Sequence, residues 1–246
     1  MGVPDVFEQY YKVIDNTLRV ILEHEAEKMK ELSQRIYSTI KNEGLVYAFG
    51  TGHSHMLVEE LFYRAGGLVP IYPVFVSSLM LHEGAVRSSR LERLEGYGEV
   101  IADSLNLTSN DLVLVFSNSG VNAVPVEFAI TSKNKGSYVA AITSFDHTNT
   151  MVSRNKYNKK LLEVVDLAID NHVPYGDTSL DLSGSRVAPL SSITGMFILN
   201  AVTAEVAKLF VENGETPPVF VSANSKNGEQ VNQKLIKKYS DLVQFL

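Results

Sequence analysis

The chain has 246 residues, 45% of them hydrophobic, enough to bury one sizeable core as a single domain with extensions. Acidic residues outnumber basic ones by 28 to 22 and no Lys/Arg run appears, which argues against a nucleic-acid partner. Cysteine is absent, so a disulfide framework and a thiolate metal site are excluded.

The N-terminal stretch "MGVPDVFEQYYKVIDN" lacks the basic flank and apolar run of a signal peptide, and Val6 breaks the myristoylation pattern. No run of ~18 uninterrupted apolar residues marks a membrane span. The expectation is a cytoplasmic protein without a membrane partner. From Phe7 to Ile40, apolar residues such as Tyr11, Ile14, Leu18, Ile21, Leu32 and Ile36 recur at helical spacing, and Asn42 and Gly44 follow as stop signals. One helix of that length exceeds the ~11 residues typical of globular proteins and needs a partner beyond one small core. A homodimer or larger assembly is the expectation.

After this helix, short apolar runs alternate with helix-length segments. The runs are "LVYAF" (45–49), "YPVFV" (72–76), "DLVLVF" (111–116), "YVAAIT" (138–143) and "VVDLAI" (164–169). Continuous rather than alternating hydrophobicity suits strands buried on both faces, so a five-stranded parallel sheet in a three-layer, doubly wound α/β domain is predicted. Helices are expected over 54–65, 96–106, 122–135, 189–212 and 228–245, with a loop over 171–185 and a turn over 213–220. The whole chain reads as one domain with a core over about 45–170.

Two polar loops stand out: "FGTGHSH" (49–55) after the first strand and "SNSGVN" (117–122) after the third. The first lacks the Lys-Ser/Thr ending of a P-loop and the third glycine of a dinucleotide fingerprint. Glycine lets the backbone curl so that N–H groups converge, hydroxyls add donors, and a helix N-terminus adds positive potential, a combination suited to phosphate. In the flavodoxin-like strand order 2-1-3-4-5, these strands are neighbours at the switch point where ligands bind. Each loop alone also reads as an ordinary turn and helix cap. His53 and His55, with no partner cluster, read as loop residues rather than metal ligands, and no cofactor is implied.

These motifs, "GTGHS" and "SNSG", resemble those of the sugar isomerase (SIS) domain superfamily. The resemblance implies an SIS-type fold and a phosphorylated sugar or amino sugar as ligand. It places Thr51, Gly52, His53, Ser54, Ser117, Asn118, Ser119, Gly120 and Asn122 at the substrate. "EELFYRAGGLVPIYPV" and "IDNHVPYGD" are similar to an uncharacterised bacterial SIS family thought to be phosphosugar isomerases. "LSGSRVAPLSSITGMFILNAV" is similar to N-acetylmuramic acid 6-phosphate etherases, whose catalytic glutamate lies in an E-G-A-E-D-like stretch. Here "HEGAVR" keeps Glu83, Gly84 and Ala85 but continues with Val86 and Arg87. Aldose–ketose isomerisation needs a base between C1 and C2. Glu60, His82, Glu83 and His172 are the candidates by position, although Glu60 also fits a solvated helix residue and His172 a turn-ordering one. A non-catalytic sugar-phosphate sensor and an etherase-like lyase remain open as alternatives.

Overall fold

The computed structural model describes residues 5–246; residues 1–4, part of the stretch read above for leader and lipidation signals, lie outside the described residues. Five parallel strands, β1 (Val46–Gly50), β2 (Ile71–Pro73), β3 (Leu112–Phe116), β4 (Tyr138–Thr143) and β5 (Leu167–Asp170), form one sheet in the order 2-1-3-4-5. Every residue of β1 and β3 is buried, as their unbroken apolar composition requires. Val46, Ala48, Leu112 and Leu114 face one layer, while Tyr47, Phe49, Val113 and Val115 face the other.

The first layer holds α1 (Val6–His24), α2 (Ala26–Lys41), α3 (His55–Leu61) and, late in the chain, α9 (Ser191–Glu212). Leu32 and Ile36 of α2 and Val58 of α3 share a core with Ile198, Val202 and Val206 of α9. α9 is long and apolar enough to cross a membrane by length and composition, but its buried face, with Ile198, Leu199, Val202 and Val206, packs inside the protein. The opposite layer contains α5 (Tyr97–Asp103), α6 (Ala123–Asn134), α8 (Leu161–Val164) and α10 (Gly228–Tyr239). Phe128 of α6 stacks on Phe49 at 4.1 Å between ring centroids and joins Ile101, Leu161 and Tyr239. Two short helices complete the C-terminal edge of the sheet, α4 (Ala85–Leu91) and α7 (Phe145–Thr150).

Several expectations need correction. The single helix over 7–40 is two helices, broken at Glu25 (φ −112°, ψ −2°), whose carboxylate turns inward to accept from Asp170 N at 3.2 Å. The break lets α1 lean towards α9, where Tyr10 Oη donates to Pro189 O at 2.6 Å. α3 ends at Leu61 rather than 65, because Tyr63 takes positive φ (47°). The loop over 171–185 contains the start of a two-stranded hairpin, β6 (Leu180–Leu182) and β7 (Ser185–Val187).

Candidate functional site

β1 and β3 pair in register with Gly50 opposite Phe116, so the two polar loops leave the sheet level with each other. The first makes one tight turn, Gly52–Ser54, and enters α3; the second runs directly into α6. Ser117 Oγ accepts from Gly120 N at 3.2 Å and closes the second loop on itself. Gly120 has φ 61°, and a Cβ there would lie 3.0 Å from the hydroxyls of Thr143 and Thr148, so only glycine fits without strain. Thr148 Oγ1 donates to Ser119 O (2.9 Å) and Thr143 Oγ1 to Asn118 O (3.4 Å), so these carbonyls are satisfied from the β4 side. The backbone N–H groups of Asn118 and Ser119 have no partner among the described residues. Unspent consecutive N–H groups beside a helix N-terminus form an anion-binding concavity.

Between the loops lies a cleft with an empty volume of about 290 Å³. His53 and Ser54 line it from the first loop, Ser117 and Asn118 from the second, over a floor of Leu57 and Ile142. Asn171, just beyond β5, and Ser191 and Ser192, in the first turn of α9, close it. Asn171 Nδ2 donates to Asn118 Oδ1 at 2.9 Å, which joins the β3 and β5 ends. The first turn of α9 is organised by Asp177, which accepts from Leu190 N (3.0 Å) and Ser191 N (2.9 Å). Sequence reasoning missed Asn171, Ser191 and Ser192. The helix start at "PLSSIT" was visible, but not that tertiary packing brings it to the switch point.

Thr51 and Asn122 are placed differently from the residues that line the cleft. Both are buried, and both donate to one carboxylate: Thr51 Oγ1 to Glu92 Oε2 at 2.9 Å and Asn122 Nδ2 to Glu92 Oε1 at 2.7 Å. Burial pushes the Glu92 carboxyl above its ordinary value, partly offset by the Thr51 hydrogen bond and by Arg93 and Arg154. Gly52, at positive φ (55°), shapes the first loop, and its carbonyl accepts from Nδ1 of the buried His55.

None of the four expected acid–base residues lines the cleft. Glu60 binds Arg64 and accepts from Asn200 Nδ2 at 2.7 Å. Glu83 pairs with Arg87 at 3.1 Å and is 45% exposed. His82 precedes it, its ring 6.2 Å from that of His55. His172 has φ 51°, and its Nε2 lies 3.5 Å from Glu25 Oε1, itself bound by Lys28 at 2.9 Å. Among the described residues that line the cleft, His53 is the one titratable side chain. Among the described residues, no group of three or more His, Cys, Asp or Glu side chains is placed to hold a metal ion.

The family model of the SIS domain matches residues 9–144. This chain belongs to the SIS domain family. It is 43% identical over 243 residues to a "UPF0309 protein" of Geobacillus thermodenitrificans, with 98% of each chain covered, and so falls in that group of SIS proteins. Among solved structures, the sugar isomerase domain of the RpiR transcription factor from Sphaerobacter thermophilus superposes with a TM-score of 0.54 at 13% identity, covering 97% of this chain and 100% of that one. The phosphoheptose isomerase GmhA from Neisseria gonorrhoeae gives a TM-score of 0.51 at 12% identity, covering 80% and 95%. At such identities the likeness establishes the shared fold. Family and fold together support sugar-phosphate binding.

Proposed function

We propose that this protein binds a phosphorylated sugar or amino sugar in the switch-point cleft and interconverts its aldose and ketose forms. The cleft carries the reading: hydroxyls and amides converge there from the ends of β1, β3 and β5 and from α9, and the loop after β3 adds two unspent backbone N–H groups. The phosphate is anchored by Ser54, Ser117, Asn118 and Ser119, with Gly52 and Gly120 shaping the turns and His53 at the rim. Such an anchor, remote from the reacting carbon, lets binding energy orient the sugar for chemistry. Glu60, His82, Glu83 and His172 are the candidate sources of the base. A second copy of the chain is expected to cover the apolar face of α1, where Phe7 and Tyr11 are 83% and 66% exposed.

A second reading, a non-catalytic phosphosugar sensor, is favoured by one observation: among the described residues, no carboxylate lines the cleft. The RpiR neighbour is itself a transcription factor. A thermal-shift panel of aldose and ketose phosphates and of N-acetylmuramic acid 6-phosphate, followed by NMR of each stabilising compound incubated with protein, separates the readings. Conversion of one compound into its isomer supports catalysis, and release of an ether-linked acid supports lyase chemistry. Stabilisation without conversion supports the sensor, and a panel with no stabilising compound contradicts the phosphosugar reading altogether.

A further inference from the structure

Thr51 and Asn122 lead out of the two strands that flank the switch point, and both turn to Glu92, the residue after α4. Glu92 also accepts through its backbone oxygen from Val124 N at 3.1 Å, so the start of α6 is attached to this residue twice. Among the described residues, no hydrogen bond runs directly between residues 51–54 and 117–122. The two sides of the cleft are therefore hydrogen-bonded to each other only through intermediaries, and Glu92 bonds a side chain of each.

The chemistry of the contact sets it apart from neighbouring carboxylates. Glu60, Glu83 and Glu25 each bind a cation, Arg64, Arg87 and Lys28 respectively. Glu92 has no ion pair among the described residues, and its two side-chain partners are neutral donors, one from each loop. Hydrogen bonds to an ionised acceptor are roughly twice as strong as neutral ones. Asn122 Oδ1 is buried without a hydrogen-bond partner, so among the described residues the bond to Glu92 is the one hydrogen bond of that amide. An unpaired buried oxygen is costly and persists here because the amide nitrogen is held at 2.7 Å.

We propose that Glu92 is a positioning residue of the phosphosugar site: its carboxylate ties the loop after β1 to the loop after β3 and sets the distance between the two donor walls of the cleft. The inference rests on the phosphosugar reading of that cleft. It makes Thr51 and Asn122 members of the tie rather than direct phosphate ligands.

The test is calorimetric binding of fructose 6-phosphate, glucosamine 6-phosphate, arabinose 5-phosphate and inorganic phosphate to the full chain and its variants. Glu92→Ala is expected to weaken the tightest-binding probe by about 10- to 100-fold, the loss of one or more charge-assisted hydrogen bonds. Glu92→Gln restores affinity to within about threefold, since its oxygen accepts from Asn122 while its amide donates to a rotated Thr51 hydroxyl. Thr51→Val weakens binding in the wild-type background and adds nothing in Glu92→Ala, because the tie is already cut. If Glu92→Ala fails to fold, Thr51→Val combined with Asn122→Ala must show the same loss, with Glu92→Gln again near wild type. Wild-type affinity in Glu92→Ala, or in the Thr51/Asn122 double variant, overturns the tie while leaving the phosphosugar reading intact. Equal losses in Ala and Gln overturn it in favour of a role for the charge itself. A wild type that binds none of the four probes overturns both the tie and the reading beneath it.

Discussion

The two ends of the parallel sheet offer similar side chains under opposite conditions. At the N-terminal end a groove with an empty volume of about 1220 Å³ runs past Tyr47, Tyr72, Asp111 and Gln244, far larger than the cleft of about 290 Å³ at the C-terminal end. The central carboxylate of the larger groove is already engaged. Asp111 accepts from Leu45 N, Thr108 N and Thr108 Oγ1, each at 2.8 Å. Tyr47 and Tyr72 stack on each other at 4.7 Å, and burial pushes the Tyr47 hydroxyl up to about 12. At the smaller cleft the N–H groups of Asn118 and Ser119 remain unspent, and α3, α6 and α9 begin there. Helix N-termini carry positive potential and C-termini negative, so this end favours an anion. Unspent backbone N–H groups beside helix N-termini, rather than volume, mark the smaller cleft as the anion site.

The sharpest way to break this comparison is to remove donors at one end and bulk at the other. Ser54→Ala with Ser117→Ala should lower phosphosugar affinity by about 100-fold or more in a protein that stays folded by circular dichroism. Tyr72→Ala in the N-terminal groove should leave calorimetric affinity unchanged. The reverse pattern would move the site to the other end.

Gly44 tests the structural character of the N-terminal end, because a Cβ there would lie 2.0 Å from Asn110 O. Gly44→Ala is expected to cost about 2–4 kcal/mol in urea unfolding, while the folded fraction binds ligand as before. Gly120→Ala is milder in stability, about 1–2 kcal/mol from the left-handed backbone alone, but it should also weaken binding. Loss of stability without loss of affinity there would show that the β3 loop does not hold the ligand.

The smallest effect concerns pH. Glu92 is faced by Thr51, Asn122, Arg93 and Arg154, and burial raises its proton affinity above the ordinary value of 4.5. Folding then takes up a proton as pH rises past 4.5, so this residue's contribution to native stability falls through that window until its folded value is passed. Glu92→Gln carries no such proton. Its melting temperature relative to wild type should therefore rise between pH 4 and 7, by a few degrees at most. A difference that is flat or falls with pH would mean that the charged form is not penalised.

The sheet was legible because its signal is local: each strand is an apolar run, and the alternation of such runs with helices matches the flavodoxin-like order of doubly wound folds. The two loops were legible for the same reason. The break at Glu25 was not, since the polar stretch "EHEAEK" contains no proline or glycine and the carboxylate's inward turn depends on β5, distant in the chain. Nor could sequence show that Thr51 and Asn122 face Glu92. Hydroxyl and amide at a strand end suit a ligand or a carboxylate equally well, and Glu92 lies in a charged stretch, "RLERLE", that reads as solvated. Asn171, Ser191 and Ser192 became visible only when β5 and α9 were brought together.

The most direct measurement is the crystal structure of the protein with the phosphosugar that stabilises it most. The account predicts the phosphate at the C-terminal end of the sheet, its oxygens about 3 Å from the N–H groups of Asn118 and Ser119 and from the Ser54 and Ser117 hydroxyls. A phosphate bound instead in the groove beside Tyr72 and Asp111 would contradict it.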